Sequence, residues 1–257
     1  MRLVLPSNSS LKHFPDNSLS SYTVQLPQPI DFGNAQWEVA LEEIQFYKSW
    51  YNVQNCAIQI NDVEPGTQSL IPLKDGHYSN ITDLVTEIND QIKLKCSRKI
   101  HNTLEFKYDK ETARCIVELK GTMKVSINFS PGLDKILGFK VGSFEMKSSS
   151  RRSIIKMAED PHNLNAIFNV MVYTDIVQST IVGDVEAPLL RSVAVQNEHW
   201  TIQTSNFLKL QYLPVSQKRF NTISIYLYTD YGEKVPFTSG RTVVTLNFRQ
   251  VRPLSFI

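Results

Sequence analysis

The sequence is short of several things at once. Its 257 residues include only three cysteines, Cys56, Cys96 and Cys115, with no two of them at metal-binding or redox spacing. An odd, scattered set excludes a disulfide framework and favours a reducing compartment. Nowhere do apolar residues run to the eighteen or so that a membrane-spanning helix needs. Charge of one sign is missing as well: 27 Lys+Arg against 25 Asp+Glu leave +2, without the basic excess of a dedicated duplex-DNA binder. Residues 1–14 lack the long apolar core of a secretory signal. The glycosylation-type triplets at Asn8, Asn80 and Asn128 are therefore expected to be accidental.

Catalytic and ligand motifs are missing too. There is no Gly-x-Ser-x-Gly, no His-Glu-x-x-His and no phosphate-binding glycine loop. The five histidines, His13, His77, His101, His162 and His199, stand far apart with no ligand spaced beside them. Asn197-Glu-His-Trp200 resembles the His-Trp element of adenovirus-type cysteine peptidases, but that family's nucleophile follows the histidine, and the last cysteine here is Cys115. Glu42-Glu43 could serve acid/base chemistry only if a bulge put both on one face, since adjacent strand residues point to opposite sides. Lys93, Lys95, Arg98 and Lys99 form a basic cluster with no aromatic among them to stack bases, and so read as the polar end of a helix. The expectation is a protein with no enzymatic activity, no cofactor, no metal and no specific nucleic-acid partner.

What is present is a core and a pattern. Hydrophobic residues make up 42% of the chain, too many for disorder, and the length suits one large β-type domain or two ordinary ones. Ser21–Leu26 alternates. Trp37, Val39 and Leu41 share one face, and Ile44 and Phe46 fall on the other, so a bulge near Glu42-Glu43 would keep all five inside. From residue 65 the character changes. The stretch 79–94 has helical spacing at Ile81, Leu84, Val85, Ile88 and Ile92, capped by Ser79 or Asn80. A hairpin over 104–119, a strand at 125–129 and a short helix closed by Gly138 complete an α+β stretch. Residues 145–165, with Ser148-Ser-Ser150 and Arg151-Arg152, read as a solvated loop. β-Pattern then returns at 167–173 and at 180–195, the latter interrupted at Gly183-Asp184 and Ala187-Pro188. It continues at 208–213, 222–228 and 242–248. The expected fold class is mainly β, a β-sandwich of residues 1–64 and 146–257 carrying an inserted α+β domain at 65–145.

Several stretches together resemble the penton-like capsid proteins of Polinton (Maverick) virus-like elements. They include Leu5-Pro-Ser-Asn-Ser-Ser10, Phe14-Pro-Asp-Asn17, Trp37-Glu-Val-Ala-Leu41, Trp50-Tyr-Asn-Val53 and Asp75-Gly-His-Tyr78. Ile181-Val-Gly-Asp184, Ala187-Pro-Leu-Leu-Arg191 and Tyr212-Leu-Pro-Val215 continue the likeness through the second half. The resemblance implies a single jelly roll, since a double jelly-roll major capsid protein needs about twice this length. It implies a homopentamer at each vertex of an icosahedral shell, in contact with the element's major capsid protein and located in the virion after assembly in the host nucleus or cytoplasm. The insertion would then be free to bind a host receptor or a glycan. The alternatives left open are a glycan- or protein-binding sandwich module of a domesticated element and a major-capsid-type jelly-roll protein.

Charge bears on such a ring. Residues 1–64 carry −4, 65–145 carry +2 and 146–257 carry +4, a distribution that lets one copy's acidic start meet the next copy's basic end. Gly183, Asp184, Pro188, Leu189, Leu190 and Arg191, a polar turn beside a proline-restrained apolar arm, are the expected interface residues. The stretch 251–257 is apolar enough to dock under a neighbour or to cover its own sandwich.

Overall fold

Alternation alone would turn the apolar residues of 37–46 to two different faces, and the chain solves this with one extra residue. In the computed structural model, which describes residues 1–63, 66–149, 152–164, 167–196 and 199–251, strands β1 (Arg2–Pro6), β2 (Ser21–Asp31) and β3 (Trp37–Tyr47) come first. Then follow β4 (Ala57–Asp62), β5 (Thr67–Pro72), α1 (Ile81–Lys95), α2 (Arg98–Thr103), β6 (Leu104–Asp109) and β7 (Arg114–Leu119). Next are β8 (Met123–Phe129), α3 (Leu133–Leu137), β9 (Ser143–Ser148) and β10 (Ile154–Met157). The last part holds β11 (Asn169–Thr174), β12 (Thr180–Val182), β13 (Val185–Ala187), β14 (Leu189–Ala194), β15 (Ile202–Asn206), β16 (Leu213–Pro214), β17 (Arg219–Thr229) and β18 (Thr242–Gln250). Two compact units result, one of residues 1–50 with 167–257 and one of residues 51–166.

In the first unit, β1-β18-β3-β15 form one antiparallel sheet, with β16 also on β3, and β14-β11-β17-β2 form another. Strands from the front of the chain pair with strands from its back, β1 with β18 and β2 with β17, and the pairing nests inward to β3 and β11. A five-stranded and a four-stranded sheet rolled up in this order are a single jelly-roll β-sandwich. The period of two puts Val24 and Leu26, Val170 and Val172, Ile223, Ile225 and Leu227, and Val244, Leu246 and Phe248 into one core. Tyr22 lies in that core and its hydroxyl donates to the Leu5 carbonyl at 3.0 Å, tying β2 of one sheet to β1 of the other.

The register of β3 against β18 shifts between Thr245 and Leu246: Thr245 faces Glu43 while Leu246 faces Leu41. Glu42 is the surplus residue of a β-bulge, at the place the apolar pattern demands. Val39, Leu41, Ile44 and Phe46 are all buried as a result, and Trp37 packs against the same core.

In the second unit, sheets β10-β7-β6 and β5-β4-β8-β9 pack with the helices around their own core. Asn80 caps α1, its side-chain oxygen accepting from the Asp83 amide at 3.1 Å, and Ile81, Leu84, Val85, Ile88 and Ile92 are the buried stripe. Asn89 fastens the helix to β6 by a reciprocal pair, donating to the Phe106 carbonyl at 2.8 Å and accepting from the Phe106 amide at 2.9 Å. Gly138 ends α3 at φ 87°, and a Cβ there would meet the Asp160 carbonyl oxygen at 2.1 Å, so only glycine fits.

Two readings of the sequence need correction. Residues 208–213 are not a strand, apart from Leu213 in β16; Leu208 is fully exposed. The strand is the polar segment Ile202–Asn206, paired with β3. Its buried residue is Gln203, whose side chain accepts from the Gln196 amide and donates to the Ala194 carbonyl, so a polar side chain does the work expected of an apolar one. The stretch 145–165 is not all loop, because Ile154–Met157 pairs with β7 as β10; Ser150, Arg151 and Asn165 lie outside the described residues. The two compact units divide at 50/51 and 166/167, and the sequence pattern places the borders of the insertion at 64/65 and 145/146. β4 pairs with β5 and β8, which draws residues 57–62 into the second unit.

Candidate assembly surface

The expected interface residues run along the connection between β11 and β14. Val182 faces Val185, leaving Gly183-Asp184 as a two-residue turn, and Gly183 takes φ 64°, the positive value that a tight hairpin needs at its first position. The β12–β13 hairpin leaves Ile181 80% exposed and Val185 56% exposed. Two strands by themselves are marginal in water, so aliphatic side chains held out on such a hairpin suit burial by something else. The Pro188 carbonyl accepts from the Thr174 amide at 3.2 Å and fixes the hairpin base to β11. Leu189 pairs with Tyr173 at a register shift in β11. Leu190 points into the sandwich core, where it anchors the segment from inside. The Arg191 guanidinium lies over the Phe207 ring, 3.7 Å from its centroid, and donates to the Lys209 carbonyl at 3.1 Å. Burial lowers the Arg191 pKa from its ordinary value without removing its charge. Of the six residues, Gly183 and Asp184 form a tip, Pro188 and Leu189 a base, Arg191 a clamp on the 207–209 segment, and Leu190 is interior.

Beside that base lies a feature the sequence reading passed over. Tyr173, Tyr226 and Tyr228, with Ala187, Pro188 and Gly232, line a shallow groove of about 390 Å³. Because Ile223, Ile225 and Leu227 face inward, Tyr226 and Tyr228 must face outward. Tyr226 pairs directly with Tyr173, and the Tyr173 and Tyr228 rings meet edge to face, 5.7 Å apart at 89°. Burial, and then the nearby Tyr228 hydroxyl, raise the Tyr173 pKa above its usual value. Glu186, Asp230 and Glu233, neighbours in sequence of residues that line or flank the groove, are exposed, and Lys234 pairs with Tyr228 in an isolated bridge. The signal was present as Tyr226-Leu-Tyr228, two aromatics on the polar side of an alternating strand. A second cleft of about 480 Å³ includes Phe32, Trp37, Pro214, Val215, Lys218 and Val251 in its lining, with the Phe32 and Trp37 rings stacked at 4.6 Å.

The chemical readings are weakened by geometry. The Cys115 side chain is fully buried and its thiol is pushed up to about 12 by burial, which keeps it protonated and unreactive. His199 stands edge-on to the buried Trp50 ring at 5.5 Å, and Asn197 and Glu198 lie outside the described residues. The bulge does put Glu42 and Glu43 on one face, but Arg2 bridges them at 3.2 and 3.8 Å and Asn247 donates to Glu42 at 3.0 Å. Lys93 pairs with Asp90 at 2.9 Å and Lys99 with Asp62 at 3.4 Å, consistent with the polar end of a helix. Among the described residues there is no group of three or more His, Cys, Asp or Glu that could hold a metal ion, and no helix long and apolar enough to cross a membrane.

At the level of sequence, neither a protein-family model nor a curated protein matches the chain. Solved structures do. A chain of the Sputnik virophage structure matches over 96% of this chain and 97% of its own, at 11% identity and a TM-score of 0.46. The crystal structure of the mavirus penton protein matches over 97% of this chain and 99% of its own, at 13% identity and a TM-score of 0.52. From its first strand to its last, the chain has the fold of the mavirus penton protein.

Proposed function

We propose that this chain is a penton-type capsid protein, five copies of which close a ring at the vertex of an icosahedral virus-like particle. The observation that carries this reading is the likeness of fold over nearly the full length of both chains, which takes in the jelly roll and the α+β unit between β3 and β11 together. On this reading the protein is structural and not catalytic. Its partners are further copies of itself and the major capsid protein around the vertex, and its place is the virion shell. The α+β unit, residues 65–145 by sequence pattern, is the part open to a host receptor or glycan.

A five-fold ring needs one patch that meets a different patch on the next copy. The β12–β13 hairpin supplies one: an aliphatic tip at Ile181 and Val185 around Gly183-Asp184, a base at Pro188 and Leu189, and the Arg191 clamp behind it. Averaged electron micrographs of the purified protein test the proposal. Five-fold rings that vanish when Ile181 and Val185 are both changed to Asp support it. Single particles without rotational symmetry at every concentration refute it.

A further inference from the structure

The three-stranded sheet β10-β7-β6 has two edges, and the chain treats them differently. Phe106 in β6 turns its backbone N–H and C=O away from β7, and Asn89 of α1 meets both, donating at 2.8 Å and accepting at 2.9 Å. That edge is closed. At the other edge the Ala158 amide donates to the Cys115 carbonyl at 2.8 Å, continuing the register of β10 on β7. Bonding alternates along an antiparallel ladder, so Ile154, Lys156 and Ala158 bond toward β7, while Ile155 and Met157 turn their N–H and C=O groups outward. Among the described residues no strand besides β7 pairs with β10, and β9, which precedes it, belongs to another sheet.

Sheet edges are ordinarily blunted by a charge, a proline or a cover. β5 ends on Pro72, and β9 carries Glu145 and Lys147. The single charge in β10 is Lys156, and its ammonium is bound to Glu159 and lies 5.9 Å from the centroid of the Phe144 ring. What β10 shows to solvent is apolar: Ile155 is 58% exposed and Met157 37%. These two share a face with their register partners Glu118 and Ile116. On the same face Lys107 pairs with Glu118 at 2.5 Å and with Glu105 at 3.4 Å. The face therefore passes from ion pairs on its closed side to an apolar row on its open side.

Outward N–H and C=O groups two residues apart are matched by the backbone of another strand, and the apolar row beside them by that strand's alternate side chains. A second copy's β10 is a poor occupant. The register that pairs Ile155 with Met157 in both directions sets the two Lys156 side chains directly opposite each other, and like charges so placed repel. We propose that β10 receives an extended strand of a different protein, apolar at the alternate positions beside Ile155 and Met157 and without a basic residue opposite Lys156. The inference goes beyond the capsid reading and stands whether or not copies close into a ring.

Amide hydrogen exchange of the full chain, read residue by residue by NMR, tests it. In the free protein the Ile155 and Met157 amides should exchange about a hundredfold faster than the Lys156 amide. The probe is a blocked peptide of alternating valine and threonine with a glutamate at each end, titrated to millimolar concentration. Saturable protection of the Ile155 and Met157 amides, roughly tenfold or more, is the expected result. The same peptide with its backbone amides N-methylated should protect neither. Ile155→Pro removes an outward N–H and leaves the ladder to β7 in place, so it should weaken binding roughly tenfold while the melting curve holds. If that variant unfolds, the N-methylated peptide puts the same question to the unaltered chain. Slow exchange at Ile155 and Met157 in the free monomer overturns the inference. So does a peptide that protects neither amide, or one that binds equally well when N-methylated. Protection that grows with protein concentration, together with a dimer by light scattering, assigns the edge to a second copy and overturns it as well. Five-fold rings, present or absent in the same samples, bear on the capsid proposal alone.

Discussion

Deleting Glu42 should strongly destabilise the sandwich, although Glu42 itself contributes little. Because it is the surplus residue of the β3 bulge, its loss forces one choice on the strand. Either Val39 and Leu41 keep facing the core and Ile44 and Phe46 turn outward, or the reverse. Each pair consists of side chains at 0–1% exposure. Fully burying a side chain of this size is worth about 1.5–3 kcal/mol, so two turned out cost about 3–6 kcal/mol. Typical total stabilities are about 5–15 kcal/mol. Glu42→Ala keeps the residue count and removes only the Arg2 ion pair at 3.2 Å and the Asn247 hydrogen bond. It should cost about 1 kcal/mol or less. Urea unfolding followed by tryptophan fluorescence reports on this unit alone, because Trp37, Trp50 and Trp200 all belong to it. A deletion variant within about 1 kcal/mol of the parent would refute the account of the bulge.

Gly138→Ala forces alanine into φ 87° and drives its Cβ onto the Asp160 carbonyl. The left-handed conformation alone costs about 1–2 kcal/mol, and circular dichroism melts should show at least that loss. Tyr22→Phe removes the hydroxyl that donates to the Leu5 carbonyl and should cost about 0.5–1.5 kcal/mol at neutral pH. Burial raises the Tyr22 pKa in the folded state. The corresponding stability is therefore complete below the unfolded tyrosine value of about 10 and declines above it by about 1.4 kcal/mol per pH unit. Tyr22→Phe should flatten that alkaline decline, and an unchanged slope would contradict the assignment. Cys115 should resist thiol-reactive probes until global unfolding. Rapid native-state labelling that disappears in His199→Ala would restore the peptidase reading.

Much of the fold was legible because its signals are local. The helical stripe and Asn80 cap of α1, the glycine that closes α3, the two breaks in 180–195 and the bulge at Glu42 follow from periods and turn residues within a dozen positions. What was not legible depends on distant partners. Segment 202–206 looks too polar for a strand, and its place beside β3 becomes clear only when the Gln203 side chain is seen bound to Gln196 and Ala194. Conversely, Tyr212 in 208–213 is engaged across strands: the Arg249 guanidinium lies 3.8 Å from the Tyr212 ring centroid, and the Tyr212 hydroxyl donates to the Asn247 side chain at 3.0 Å. The hairpin tip at Gly183-Asp184 was visible as turn chemistry. The interior position of Leu190 and the tyrosine groove were not, because the first depends on which side of β14 faces the core and the second joins three elements distant in sequence.

The central claim is that copies of this chain close a five-membered ring. Native mass spectrometry of the purified protein, across a range of concentration and salt, tests it most directly. Five copies of a 29.4 kDa chain give about 147 kDa, and a species at that mass, without a ladder of open intermediates, is the predicted result. A chain that stays at 29.4 kDa under every condition, or that stops at a two-fold dimer, contradicts it.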